Sequence, residues 1–166
     1  RAFAHQPTAA EPTSIRRIFF SNVNSAIKKA VWERHPFPEM VMSEDQAFAR
    51  AALQSGGHIV YDPAAGVWHG HRYTLHQLFR RNFDSGYSLR AITSDPWRDV
   101  VRLGLNYVWA EAGYLARRGH WLYLPYALLY EGVKSAGFAL GRLGPRLPAA
   151  WRPRLSLHPR YWPEEK

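Results

Sequence analysis

Apolar and polar positions alternate with two different rhythms along this chain. Ile18, Phe19 and Phe20 form an apolar run ahead of the polar stretch Ser21-Asn22-Val23-Asn24-Ser25, which predicts a short strand turning into a loop. A helix is expected over Ala26 to Arg34. His35-Pro36-Phe37-Pro38 stops it, because proline has no backbone N–H and restricts the residue before it. Ser43-Glu44-Asp45-Gln46 has the form of a capping box, Ala47, Phe48, Ala51 and Ala52 repeat at helical spacing, and Gly56-Gly57 ends the pattern. His58-Ile59-Val60-Tyr61 and Gly66-Val67-Trp68-His69 predict two extended pieces joined by a turn at Asp62-Pro63. Leu75, Leu78, Phe79 and Phe83 return to helical spacing until Ser85-Gly86 interrupts it, and Asp95-Pro96 offers a new helix start. Trp97 to Ala116 and Trp121 to Leu140 then predict two long apolar-rich helices around Arg117-Arg118-Gly119-His120. Neither reads as a membrane span. The first contains Arg98, Asp99, Arg102 and Glu111 and the second Pro125, Glu131 and Lys134, within the roughly 20 residues that a span needs.

Composition narrows the classes of function. The 166 residues suit one ordinary domain, and 46% hydrophobic residues against 21% charged can bury a core. There is no cysteine, which excludes disulfides, thiolate metal sites and a cysteine nucleophile. The net charge is +9, divided as +3 through Asp95 and +6 from Pro96 onward, so the second half is the basic one and favours anionic partners. Nucleic acid is not among those expected. The cations are scattered over several helices, and no aromatic motif of an RNA-binding sheet is present. Arg1 to Pro12 has no apolar run of a secretory leader, and the first residue is Arg, so the expectation is a piece of a longer polypeptide.

Three groups of residues could carry chemistry. Asp45 falls in the first turn of its helix, where the dipole and free N–H groups favour an ionised carboxylate. It is either an ordinary helix-start acid or a general base at the lip of a cleft. His69 and His71 fall two apart on an expected strand and so share a face, about 6.5 to 7 Å apart along the backbone. They are either surface histidines or part of a metal site that needs oxygen ligands from elsewhere. Arg80 and Arg81 are either a solvated helix face or a grip on a diphosphate. A zinc hydrolase is disfavoured, since no His-Glu-x-x-His occurs.

Taken in order, Phe19 to Ile27, Pro36-Phe37-Pro38-Glu39, Ser43 to Gln46, Tyr61-Asp62-Pro63, Val67 to His71 and Phe79 to Gly86 resemble the second half of a family 2 glycosyltransferase. The resemblance is to rhamnosyltransferase-like members, which end in a run like Leu155-Ser156-Leu157-His158-Pro159-Arg160-Tyr161-Trp162, and it extends from about Ile15 to Trp162. It implies an α/β chain. Residues 1–14 would be a loose lead-in, residues 15–95 the acceptor-side half of a GT-A (nucleotide-diphospho-sugar transferase) fold, and residues 96–166 a basic, mainly helical extension.

The resemblance also implies roles. The family's Glu-Asp motif falls on Glu44-Asp45, making Asp45 the catalytic base of an inverting transfer and placing Glu44 at the substrate. The metal-binding histidine falls on His69, with His71 in reserve, for a divalent Mn²⁺ or Mg²⁺. Arg80 and Arg81 occupy the region that contacts the donor diphosphate. The implied partners are a nucleotide-sugar donor and a saccharide or lipid-linked acceptor in surface-polysaccharide synthesis. The family's Asp-x-Asp motif is absent from this sequence, so the chain alone is expected to be inactive. Two readings of the C-terminal helices stay open. They pack as core, or they lie on an anionic membrane at the inner face of the plasma membrane. The alternative from another class is a non-catalytic helical domain that binds a membrane or a protein partner.

Overall fold

A computed structural model describes residues 20–62 and 64–162. The elements are α1 (Lys29–Arg34), α2 (Glu44–Gln54), α3 (Leu75–Ile92), α4 (Trp97–Arg117), α5 (Leu124–Leu143) and α6 (Arg152–Leu155), with single 3₁₀ turns between some of them. The expected α/β, partial GT-A architecture is therefore corrected: among the described residues there is no strand, and the regular structure is helical. A strand exists only through hydrogen bonds to a neighbour. The segments His58–Tyr61 and Gly66–His69 have β-prone residues but no ladder partner among the described residues, and they run as irregular chain, exposed except at half-buried Ile59. Of the expected strand at Ile18–Phe20 only Phe20 lies within the described residues, and the lead-in over 1–14 lies outside them.

The chain divides into two compact units, and α3 contributes to both. The first unit holds the described residues up to Arg72 together with Ser88–Ser94. Its core is built on α2, whose Phe48, Ala49, Ala52 and Leu53 are buried. Phe48 packs against Phe20 and Phe37 at ring distances of 5.7 and 5.0 Å, and Ala49 meets Ile92, with Met40, Ile59 and Leu89 around them. Helix α2 stops at Gly56, whose φ of 83° is left-handed backbone that glycine adopts without a Cβ clash.

The second unit holds Tyr73–Tyr87 and the chain from Asp95. Thr74 and Gln77 start α3 with a reciprocal cap: the Gln77 N–H donates to Thr74 Oγ1 at 3.2 Å, and the Thr74 N–H donates to Gln77 Oε1 at 3.0 Å. The helix does not break at Ser85-Gly86, as the pattern suggests, but continues to Ile92. Gly86 is there for proximity instead. A Cβ on it would sit 2.1 Å from the Phe138 carbonyl oxygen, and one on Gly141 would sit 2.0 Å from that of Phe83, so α3 and α5 meet backbone to backbone. Helices α4 and α5 form a hairpin at the positions expected from the sequence, turning through Gly119 at φ 75° and the 3₁₀ turn Trp121–Tyr123. Arg142 near the end of α5 donates to the Asp95 carbonyl at 2.9 Å and lies 5.4 Å from the Trp97 ring, which fixes the start of α4. No helix among the described residues is long and apolar enough to cross a membrane.

Candidate functional site

The first unit gathers polar side chains where the loop at residues 21–25 meets the start of α2. Asp45 Oδ1 accepts the Gln46 N–H at 2.8 Å, and Oδ2 accepts the Asn22 N–H at 3.4 Å. The Asn22 side chain donates to Glu44 Oε1 at 3.2 Å, and the Gln46 side chain donates to the Phe20 carbonyl. The expected capping box does not form. Ser43 has φ 65° and makes no side-chain cap, so its hydroxyl is turned from the helix end, and Gln46 reaches the Phe20 carbonyl. One consequence is that Asp45, rather than Ser43, serves the first turn of α2.

Burial sets the acidity of Asp45. The half-buried carboxyl is raised above its ordinary value, chiefly by loss of solvent. The N–H groups of Gln46 and Asn22 oppose the rise, and the Glu44 charge adds to it. This corrects the expectation that the helix start would lower it: desolvation outweighs the backbone donors. A carboxylate of raised basicity that is still hydrogen-bonded is suited to accept a proton.

The same loop reaches the segment that leads to the histidines. The Asn24 side chain donates to the Ala65 carbonyl, and Asp62 Oδ1 accepts the Ala64 N–H at 2.9 Å, shaping the turn four residues before His69. His69 and His71 come together edge to face, with ring centroids 4.4 Å apart. They do so on exposed irregular chain and not on a strand. No third His, Asp or Glu joins them into a cluster able to hold a metal ion among the described residues. Two imidazoles fall short of the donor set of a divalent site, so the residues described do not fit the implied Mn²⁺ or Mg²⁺, and no chemical step here runs through such an ion.

Arg80 and Arg81 belong to the second unit. Arg80 donates to the Pro153 carbonyl at 3.4 Å, and its half-buried side chain helps seat the chain around α6. The Arg81 guanidinium lies 5.8 Å from the Tyr73 ring centre.

Two polar residues acquire roles that the sequence reading did not give them. Asn22 is the link between Glu44 and Asp45, and its position in a run of Ser and Asn beside an apolar stretch was the available signal. Asp84 is fully buried in the second unit, where Oδ2 accepts the Leu157 N–H at 2.8 Å while Oδ1 has no hydrogen-bond partner among the described residues. Burial pushes its carboxyl up, against the pull of Ser156, Leu157 and His158. Phe83 and Tyr87 on either side of it meet Trp162 at 6.5 and 4.7 Å. The two motifs Phe79–Gly86 and Leu155–Trp162, far apart in sequence, thus form one packed body.

Comparison with known proteins finds sequence similarity alone. No protein-family profile matches the chain, and no solved structure does. The chain is 32% identical over 155 residues to the O-antigen chain rhamnosyltransferase WbaN of Salmonella anatum, covering 89% of this chain and 48% of that protein. It is 31% identical over 159 residues to the O-antigen chain rhamnosyltransferase RfbN of Salmonella typhimurium, covering 92% of this chain and 49% of that protein. The chain spans about half the length of these relatives, and over that half its sequence is rhamnosyltransferase-like.

Proposed function

We propose that this chain is the part of a family 2 glycosyltransferase that carries the catalytic base, acting in O-antigen or related surface-polysaccharide synthesis. The single observation that supports it is Asp45: a half-buried carboxylate of raised basicity, held by two N–H groups in a rhamnosyltransferase-like sequence. An acceptor hydroxyl is a poor nucleophile until its proton is removed. Asp45 takes that proton as the acceptor oxygen bonds to the anomeric carbon, and the bond from that carbon to the nucleoside diphosphate breaks with its electron pair on the leaving group. One displacement inverts the anomeric centre, so no second carboxylate is needed as a nucleophile. The donor is a nucleotide sugar, rhamnose being the sugar that the names of the relatives favour, and the acceptor is a saccharide or lipid-linked saccharide. Glu44, bridged to Asp45 through Asn22, lies beside the acceptor in this scheme, and Arg80 and Arg81 are held in reserve for the donor phosphates. The implied divalent ion would need ligands beyond His69 and His71. These 166 residues contain no Asp-x-Asp, and turnover by them alone is not expected.

The test is Asp45→Asn in a polypeptide as long as the relatives. The rate of sugar transfer should fall by roughly 10²- to 10⁴-fold, the size of general-base catalysis, with the circular dichroism spectrum unchanged. In the unsubstituted enzyme the acid limb of kcat/KM should lie above the ordinary carboxylate range, because the base must be ionised and burial raises it. A variant that retains full turnover removes Asp45 from the mechanism.

A further inference from the structure

The turn between α4 and α5 is apolar at its front and cationic just behind. Trp121, Leu122 and Tyr123 are 62%, 94% and 64% exposed, Tyr126 follows at 56%, and no residue of α4 is buried. So much aromatic and aliphatic surface left in water marks a place that something covers. The charge around it is one-sided. From residue 112 to residue 130 there is no carboxylate, while Arg117 and Arg118 stand next to the turn. Both guanidinium groups lie back along α4, away from the turn. That of Arg118 is 5.4 Å from the Tyr114 ring centre, and a Cβ on Gly113 would be 3.2 Å from a guanidinium nitrogen of Arg117.

We propose that Trp121–Tyr123 insert into the boundary between head groups and acyl chains of an anionic bilayer, with Arg117 and Arg118 against the lipid phosphates. Trp and Tyr carry an apolar body and a polar tip, which suits that depth, and cations one helical turn behind them meet the negative head groups. No helix among the described residues is long and apolar enough to cross. The charge pattern favours lipid over a second copy of the chain. A symmetric contact of turn with turn would set Arg117 and Arg118 of one molecule against those of the other, and residues 112–130 offer no carboxylate to pair them. This inference concerns binding alone and stands apart from the transferase reading.

The experiment is vesicle flotation of the full 166-residue chain, with phosphatidylcholine alone and with phosphatidylcholine containing phosphatidylglycerol. The chain should float with the anionic vesicles and much less with the neutral ones, and added salt should release it. Arg117→Gln with Arg118→Gln should weaken the anionic binding by roughly thirtyfold, from about a fivefold contribution per cation at such a surface. Leu122→Ala should weaken it by roughly tenfold, since a largely exposed side chain contributes almost nothing to the fold and its loss is felt on insertion. Circular dichroism should not change in either variant. Three results overturn the proposal: failure to float with either vesicle, flotation that neither variant weakens, or a concentration-dependent dimer without lipid that Leu122→Ala abolishes, which gives the surface to a second copy.

Discussion

Two glycines of the same helix should respond to alanine in opposite directions. Gly132 and Gly141 both lie in α5, and in each case alanine removes backbone freedom from the unfolded chain and favours the helix by about 1 kcal/mol. At Gly132 an added Cβ meets nothing within 4 Å, so that gain is all there is. At Gly141 the Cβ would lie 2.0 Å from the Phe83 carbonyl oxygen, 2.8 Å from its carbon and 2.9 Å from the Tyr87 nitrogen. These are helix backbone atoms and cannot swing aside as the end of a side chain would. Helices α3 and α5 must separate by more than an ångström over fully buried Phe83. Overpacking of this kind costs up to about 3 kcal/mol, which leaves Gly141→Ala roughly 2 kcal/mol less stable. For a chain of this size the melting midpoint should fall by about 4 to 8 °C for Gly141→Ala and rise by about 2 to 4 °C for Gly132→Ala. Thermal unfolding followed by far-ultraviolet circular dichroism measures both. If Gly141→Ala melts at or above the parent temperature, the close approach of α3 and α5 is wrong.

Asp84 makes stability depend on pH with an unusual sign. Its folded-state carboxyl is raised, so it supports the fold when protonated, below the ordinary carboxylate value, and that support is lost as pH rises through the raised folded value. Asp84→Asn removes the titration. The parent should lose stability relative to this variant from acid to neutral pH in urea titrations, and parallel curves would contradict the burial argument. Thr74→Ala removes one half of the cap on α3 and should cost about 1 kcal/mol in the same assay, with Thr74→Ser restoring most of it. The loss of transfer expected for Asp45→Asn and the vesicle binding of the α4–α5 turn are checked as described above.

The helices were legible because their signals are local. Apolar spacing and Asp95-Pro96 locate α4, and Pro125 in the first turn fits the start of α5. The strands were misread because a run such as His58-Ile59-Val60-Tyr61 states only a preference, while a strand is a relation to a partner. Caps failed for a similar reason. Ser43-x-x-Gln46 and Thr74-x-x-Gln77 have the same pattern, yet only the second forms, because the backbone of Ser43 is left-handed and takes its hydroxyl out of reach. In the candidate site, the place of Asp45 in the first turn of α2 followed from sequence. Its raised basicity did not, since that depends on how much solvent the folded chain removes. Nothing local to Phe83-Asp84-Ser85 announces a buried carboxylate, as its hydrogen-bond donor is 73 residues away.

That separation has a consequence for how the protein is made. When α3 leaves the ribosome, Asp84 and the ring of Phe83 have nothing to cover them, and they stay uncovered while the whole α4–α5 hairpin is synthesised. Helix α5 then closes one side against Phe83, and the arrival of Ser156, Leu157 and Trp162 closes the rest. Late closure of this kind is slow relative to local helix formation and leaves a sticky surface on the nascent chain. A product cut short near residue 150 would keep α1 to α5 and still present that open side to chaperones and proteases.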